Sequence, residues 1–155
     1  MRGGRRASCL RLPIKWMTLM AKLVFFLKRK SDITPEQFRE HYENSHVRLA
    51  QKYIGHLLTG YVRNYPTFAA LDPSNVPAGT QPSPHDIGYD AITEMRVKDM
   101  AAIEEIGRIF NDPAIQPVLK ADERKFLDDK ATVMILCDER DTGVAFTQEP
   151  TTVLA

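Results

Sequence analysis

An imidazole sits where an otherwise apolar helix face should carry another leucine or alanine. It belongs to His46, within T-P-E-Q-F-R-E-H-Y-E-N-S-H-V-R-L-A-Q-K-Y-I-G-H-L. At roughly 100° per residue, Phe38, Tyr42, His46, Leu49, Ala50, Tyr53 and Leu57 fall on one stripe. A ring there points inward, with Tyr42 and Tyr53 a turn or two away. A core histidine bonded to a carbonyl has the same spacing. Imidazole is also the side chain best matched to proton transfer near neutral pH, which makes His46 the first candidate acid/base group.

Asp122 is the second anomaly. Beyond Pro113, the residues Ile115, Val118, Leu119, Asp122 and Phe126 share a face, so a carboxylate interrupts an apolar stripe. A buried carboxylate needs hydrogen bonds or a cation, or it protonates. Asp122 is therefore either a structural ion-pair member or the partner that assists His46, by orienting the ring or by moving a proton itself. Tyr42, Tyr53, Tyr61 and Tyr89 offer flat walls and hydroxyls for an aromatic ligand, or plain core. His85, in S-P-H-D, lies on a long loop from which it could exchange a proton with a pocket beneath. His41 and His56 point away from the His46 stripe, and neither Cys-x-x-Cys nor His-Glu-x-x-His occurs, so no metal site is expected. No GxGxxG, P-loop or lysine in an apolar run points to a nucleotide or a Schiff base, and no cofactor is expected.

The elements that must position these groups follow from pattern. Residues 22–30, K-L-V-F-F-L-K-R-K, read as a strand whose apolar centre does not alternate, so both its faces should be covered. One long helix is expected from Pro35 to Leu57, capped by Thr34 with Pro35 in its first turn. Gly60 to Ala70 reads as a second strand, with Pro66 confining its end to an edge. Residues 71–88 form a Pro/Gly/Ser-rich loop of the length that covers functional sites, and residues 72–86 are expected to lie over the pocket. Tyr89 to Val97 is a third strand, and Asp90 and Glu94 on one of its faces read as structural or as dimer contacts. Lys98 to Phe110 is a helix, Pro113 to Asp128 a further helical stretch capped by Asp112, and Ala131 to Asp138 a fourth strand, apolar on both faces.

The order is βαββαβ. It predicts an α+β, ferredoxin-like domain with a four-stranded antiparallel sheet and helices on one side. Two strands that are apolar on both faces leave the other side needing a partner. A symmetric homodimer, packing sheet on sheet as a dimeric α/β barrel, meets that need.

The 155 residues suit one domain, over 21–140. Residues 1–20 carry Arg2, Arg5, Arg6, Arg11 and Lys15 without an acid, and the rest of the chain sums to −4, so no basic patch suggests a nucleic-acid partner. That head reads as a disordered tail, a gene-model artefact with Met17 or Met20 as the true start, or an organelle transit segment. Residues 141–155 have no clear pattern. Cys9 and Cys137 are the only cysteines, which favours a reducing compartment such as the cytoplasm, and no segment is apolar enough to span a membrane.

Taken together, K-L-V-F-F-L-K-R-K, the helix ending E-N-S-H-V-R-L-A, G-Y-V-R-N-Y, Y-D-A-I-T-E-M and D-E-R-K-F-L-D-D resemble the EthD-type family of dimeric α/β-barrel proteins. The resemblance covers about Ala21 to Arg140. His46, in E-N-S-H, matches the family's helix histidine, though with one residue and not two between it and the asparagine, and Asp122 and Phe126 match its D-E-x-x-F segment. It implies a cofactor-free homodimer with a pocket between helices and sheet. In fungal members it implies work on aromatic polyketides: decarboxylation of carboxylic acids, or cyclisation, dehydration or isomerisation. The expected function is therefore a cofactor-independent decarboxylase acting on an aromatic or polyketide carboxylic acid. Alternatives are a cyclase, dehydratase or isomerase, a non-catalytic dimer that binds a hydrophobic intermediate or a partner enzyme, and a cofactor-free oxygenase on the same barrel.

Overall fold

The computed structural model describes residues 21–68, 79 and 87–140. The basic head, the C-terminal tail, His85 and nearly all of the expected covering loop lie outside the described residues.

Four strands build the sheet: β1 (Ala21–Leu27), β2 (Leu58–Asn64), β3 (Ala91–Val97) and β4 (Val133–Asp138). Their order is β2-β3-β1-β4, and every neighbouring pair is antiparallel. Each βαβ half thus straddles a strand of the other, the split arrangement the element order predicts. β2 stops short of Pro66, whose missing N–H would break the ladder. β1 ends where Arg29 turns to Asp90. The main-chain N–H and the Nε–H of Arg29 each donate to that carboxylate at 3.0 Å, so Asp90, 4% exposed, ties the end of β1 to the start of β3.

Helices cover one face. The first helical run opens on a capping box: Thr34 Oγ1 accepts from the Gln37 N–H at 3.2 Å, and Gln37 Oε1 accepts from the Thr34 N–H at 2.8 Å. Sequence periodicity predicts one uninterrupted helix here, but the structure divides the run. α1 (Pro35–His41) passes into a single π-helical turn, Tyr42–His46, then α2 (Val47–Ile54) and a 3₁₀ turn, Gly55–Leu57. The Val47 N–H reaches the carbonyl of Tyr42, five residues back. This turn consumes one residue more than an α-turn, so the inward face moves on by one. Ala50 is buried as expected, but Val47 and Ile54 are buried with it, while Leu49, Tyr53 and Leu57 of the expected stripe are only partly buried.

α3 (Met100–Phe110) starts at Asp99, which caps the Ala102 N–H at 2.9 Å. The expected helical stretch from Pro113 is shorter than periodicity suggests. Asp112 Oδ1 accepts from the Ala114 N–H in a turn, and α4 (Gln116–Glu123) begins only afterwards, with Pro117 in its first turn.

The core has two centres. Ala50, Ile54, Met95, Ala102 and Ile106 pack between α2, α3 and the sheet. Phe38, Tyr42, Val47, Leu27 and Phe126 form the second, with Phe126 fully buried and its ring 5.5 Å from Phe38 and 5.6 Å from Tyr42. Replacing Phe126 with alanine is expected to cost about 3–5 kcal/mol, because the neighbouring rings cannot collapse into the space. Urea unfolding measures this, and a loss below about 1 kcal/mol would mean the cluster is not a rigid unit.

β4 stands apart. Val133, Met134, Ile135 and Leu136 on this edge strand are each 41–56% exposed in the single chain. Register with β1 places Met134 and Leu136 on the helical side and Val133 and Ile135 on the open side. Both apolar faces expected from the sequence are present, and among the described residues neither is fully covered.

Candidate active site

Asp122, on the inner face of α4, is 4% exposed and receives three side-chain donors from the first helical run. His46 Nδ1 lies 2.9 Å from Oδ2, while His41 Nε2 at 2.9 Å and the Ser45 hydroxyl at 2.8 Å share Oδ1. This corrects the expectation that His41 points away from His46. Five residues in an α-helix separate two side chains by about 140°, but a π-turn holds more residues per turn and brings residues i and i+5 much nearer to one face. The turn at Tyr42–His46 therefore brings both imidazoles to one carboxylate.

The cluster rests on an aromatic floor. The Phe126 ring lies 4.9 Å from the His41 ring and 5.2 Å from the His46 ring, and Tyr42 is 5.6 Å from His46. The phenol oxygen of Tyr42 is 2.7 Å from Thr93 Oγ1 and 3.5 Å from the Tyr61 hydroxyl. Burial pushes both phenols above their ordinary range, Tyr61 well above it, so at neutral pH both are protonated.

Burial alone would raise the Asp122 carboxyl. The bonds from Ser45, His46 and His41 outweigh that cost and hold it below the usual carboxylate range. Glu43 follows the same logic: burial opposes its ionisation, but Arg63 Nε at 2.8 Å and the Tyr65 hydroxyl at 2.6 Å lower it. A carboxyl whose folded pKa is depressed stabilises the fold above its unfolded value and loses that contribution as pH falls through the folded one. Stability to urea is therefore expected to fall below about pH 4, the unfolded carboxylate range, and to fall less steeply in Asp122→Asn. An unchanged acid limb in that variant would refute the depressed carboxyl.

His46 also lines a cavity of about 270 Å³ between the helices and the sheet. Phe25, Leu27, Met95, Phe110 and Leu119 make most of its wall apolar, Tyr42 and Tyr53 bring phenols, Met134 of β4 stands in its wall, and Lys120, Glu123, Asp129 and Thr132 add a polar part. Of the residues singled out in the sequence, Tyr42, Tyr53 and His46 line this space together. Phe126 and Asp122 lie behind the imidazole, and Tyr61 connects only through the Tyr42 hydroxyl. Tyr89 is elsewhere: its ring packs 5.3 Å from Phe26, which faces the open side of the sheet, so the structure does not bring it to His46. Ser45 and His41 carried no periodic signal. A pair of histidines five apart, facing an isolated acid on another apolar stripe, is the pattern that could have marked them.

With Nδ1–H donated to Asp122, the lone pair of His46 is on Nε2, and among the described residues no group bonds that nitrogen. The arrangement is an oriented imidazole with a base nitrogen beside an apolar cavity, the equipment for moving a proton to or from a bound organic molecule.

The sequence matches the model of the EthD domain over residues 30–130, about two thirds of the chain. This chain belongs to the EthD-domain family. No curated protein matches it in sequence. Among solved structures, an EthD family protein from Bacillus halodurans is similar with a TM-score of 0.51 and 19% identity, covering 79% of this chain and 100% of that one. HapK from Hahella chejuensis gives 0.49 and 9%, covering 82% and 99%. A hypothetical protein of Arabidopsis thaliana gives 0.48 and 14%, covering 84% and 97%. At such identities the likeness to the Bacillus protein bears on fold alone, and it agrees with the ferredoxin-like topology of the EthD chain described above.

Proposed function

We propose that this EthD-domain protein is a cofactor-independent lyase that decarboxylates an aromatic or polyketide carboxylic acid. The observation that carries the reading is His46: its Nδ1 is pinned to a buried carboxylate, and the same residue lines a largely apolar cavity. A β-keto acid, or an ortho-phenolic acid in its keto form, loses carbon dioxide when the C–CO₂ bond breaks and its electron pair moves onto the neighbouring carbonyl. The enolate is then protonated at the carbon that carried the carboxylate, and each carboxylate consumed takes up one proton. Protonated His46 supplies that proton from Nε2, and Asp122 stabilises the imidazolium while it waits. Tyr53, which lines the cavity, is the candidate donor to the enolate oxygen. The apolar part of the wall favours the reaction, since a carboxylate held against it is poorly solvated and the departing gas is neutral.

The test is incubation with β-keto and ortho-phenolic aromatic acids, no cofactor added, in deuterated water. Expected are loss of carbon dioxide and one deuteron at the vacated carbon. Product of unchanged mass but altered ring closure or hydrogen position would replace the decarboxylase with a cyclase or isomerase using the same groups.

The protein is further proposed to act as a homodimer, with β4 and the open sheet face as the contact. The support is four consecutive exposed apolar residues on that edge strand, a surface that isolated domains avoid. Light scattering at micromolar concentration is expected to give twice the chain mass, and Ile135→Glu to give the monomer. A wild-type monomer with an intact fold would overturn it.

A further inference from the structure

We infer that His41 is a positioning residue for His46: with Ser45 it clamps one oxygen of Asp122, so that the other is held at His46 Nδ1 and sets the tautomer of that ring. The inference rests on the reading of His46 as the acid/base group. The three donors do not share the carboxylate evenly. Two converge on Oδ1, at 2.8 and 2.9 Å, and only His46 meets Oδ2. An aspartate turns about a single bond near its carboxylate, and one donor on each oxygen leaves that rotation lightly restrained. Two donors on one oxygen, from residues four apart on the same rod, restrain it against both twist and tilt. His41 is braced in turn by the Phe126 ring beneath it.

The fold supplies an independent sign that this contact has a cost. A π-turn is a rare departure from the α-helix, and one stretch of regular helix would have kept the Phe38, Tyr42 and His46 stripe running unbroken. What the turn provides is the stacking of residues 41 and 46 on one acceptor. His41 touches neither the cavity nor a group placed to react, so its effect reaches the reaction through Asp122 and the His46 ring.

His41→Leu removes the donor and keeps an apolar body against Phe126. His41→Gln returns an N–H near the position of Nε2. In protein labelled with ¹⁵N at histidine, the wild type is expected to show His46 as a single Nδ1–H tautomer. His41→Leu should shift it to a mixture, and His41→Gln should restore it. In turnover, His41→Leu should lower kcat about tenfold with KM unchanged, the scale of one lost bond to a charged group, and His41→Gln should recover most of that. A stability defect alone would lower the folded fraction of both variants without changing the nitrogen spectrum. The spectrum needs no substrate, so it decides this role even where no acid tried is decarboxylated. An unchanged His46 spectrum in folded His41→Leu overturns the inference, as do equal spectra for the leucine and glutamine variants.

Discussion

Replacing His46 with alanine is expected to lower turnover by about a hundredfold or more, the usual scale of a lost general acid/base group. The fold should survive. The His46 side chain is 15% exposed and sits at the cavity wall instead of the packed centres around Ile54 and Phe126, and Asp122 keeps two of its three donors when the ring is gone. Carbon dioxide release and a urea curve on the same preparation separate the two effects. Near-normal turnover would make the histidine structural and move the search for the chemistry to Tyr53 and to His85, which lies outside the described residues. A variant that unfolds would instead make His46 a core residue, and the catalytic assignment would fall with it.

Asp122→Asn is expected to reduce turnover by roughly a hundredfold to ten-thousandfold, at nearly constant volume. The amide offers one acceptor and one donor where the carboxylate offers two acceptors. Placing its oxygen at the Oδ1 position preserves the bonds from His41 and Ser45 and asks only His46 to change. The reverse placement asks both of the others to change. The first arrangement therefore wins, and the amide N–H₂ then faces His46 Nδ1. That nitrogen must accept and cannot carry the second proton of the imidazolium, so the ring is held neutral with its proton on Nε2, a far weaker acid than the imidazolium that protonates the enolate. A drop of about ten-thousandfold when the aspartate of a serine-protease triad becomes asparagine sets the upper scale for losing a carboxylate that orients and charges an imidazole. Histidine nitrogen spectra should show the Nε2–H form. Wild-type turnover in a folded Asp122→Asn protein would show that the carboxylate neither orients nor charges the ring.

Much of the fold could be read in the chain because its signals are local and repeated. The apolar runs 23–27 and 133–137, the Thr34 cap, Pro66 at a strand end and the turn at Asn111-Asp112-Pro113 each restrict the backbone over a few residues, and together they leave the ferredoxin-like order. The candidate site was only partly legible. His46 and Asp122 stood out as polar residues on apolar stripes, and the structure joins them at 2.9 Å. The π-turn did not stand out. Y-E-N-S-H carries no pattern that separates π from α geometry, and the acceptor that its side chains meet, Asp122 of α4, lies far away in sequence. Beyond Tyr42 the most buried positions include Val47 and Ile54, one residue past the expected stripe, although Ala50 and Tyr53 still face the core and the cavity. His41 was placed on the wrong side for the same reason. Tyr89 was misplaced differently: strand parity is readable, but the side from which a flanking residue folds over its neighbour is not.

The carboxylate and its donors also bear on how the molecule assembles. Asp122 comes from the second βαβ half, and His41, Ser45 and His46 all come from the first, so the three bonds span 76 to 81 residues of chain. Contacts of such long range close large loops and form once the segments between them are already confined. Neither half owns an acceptor and its donors together. The oriented imidazole is therefore a product of docking, present only after α4 has settled against the first helical run, and a chain halted after β2 would carry all three donors with nothing to receive them.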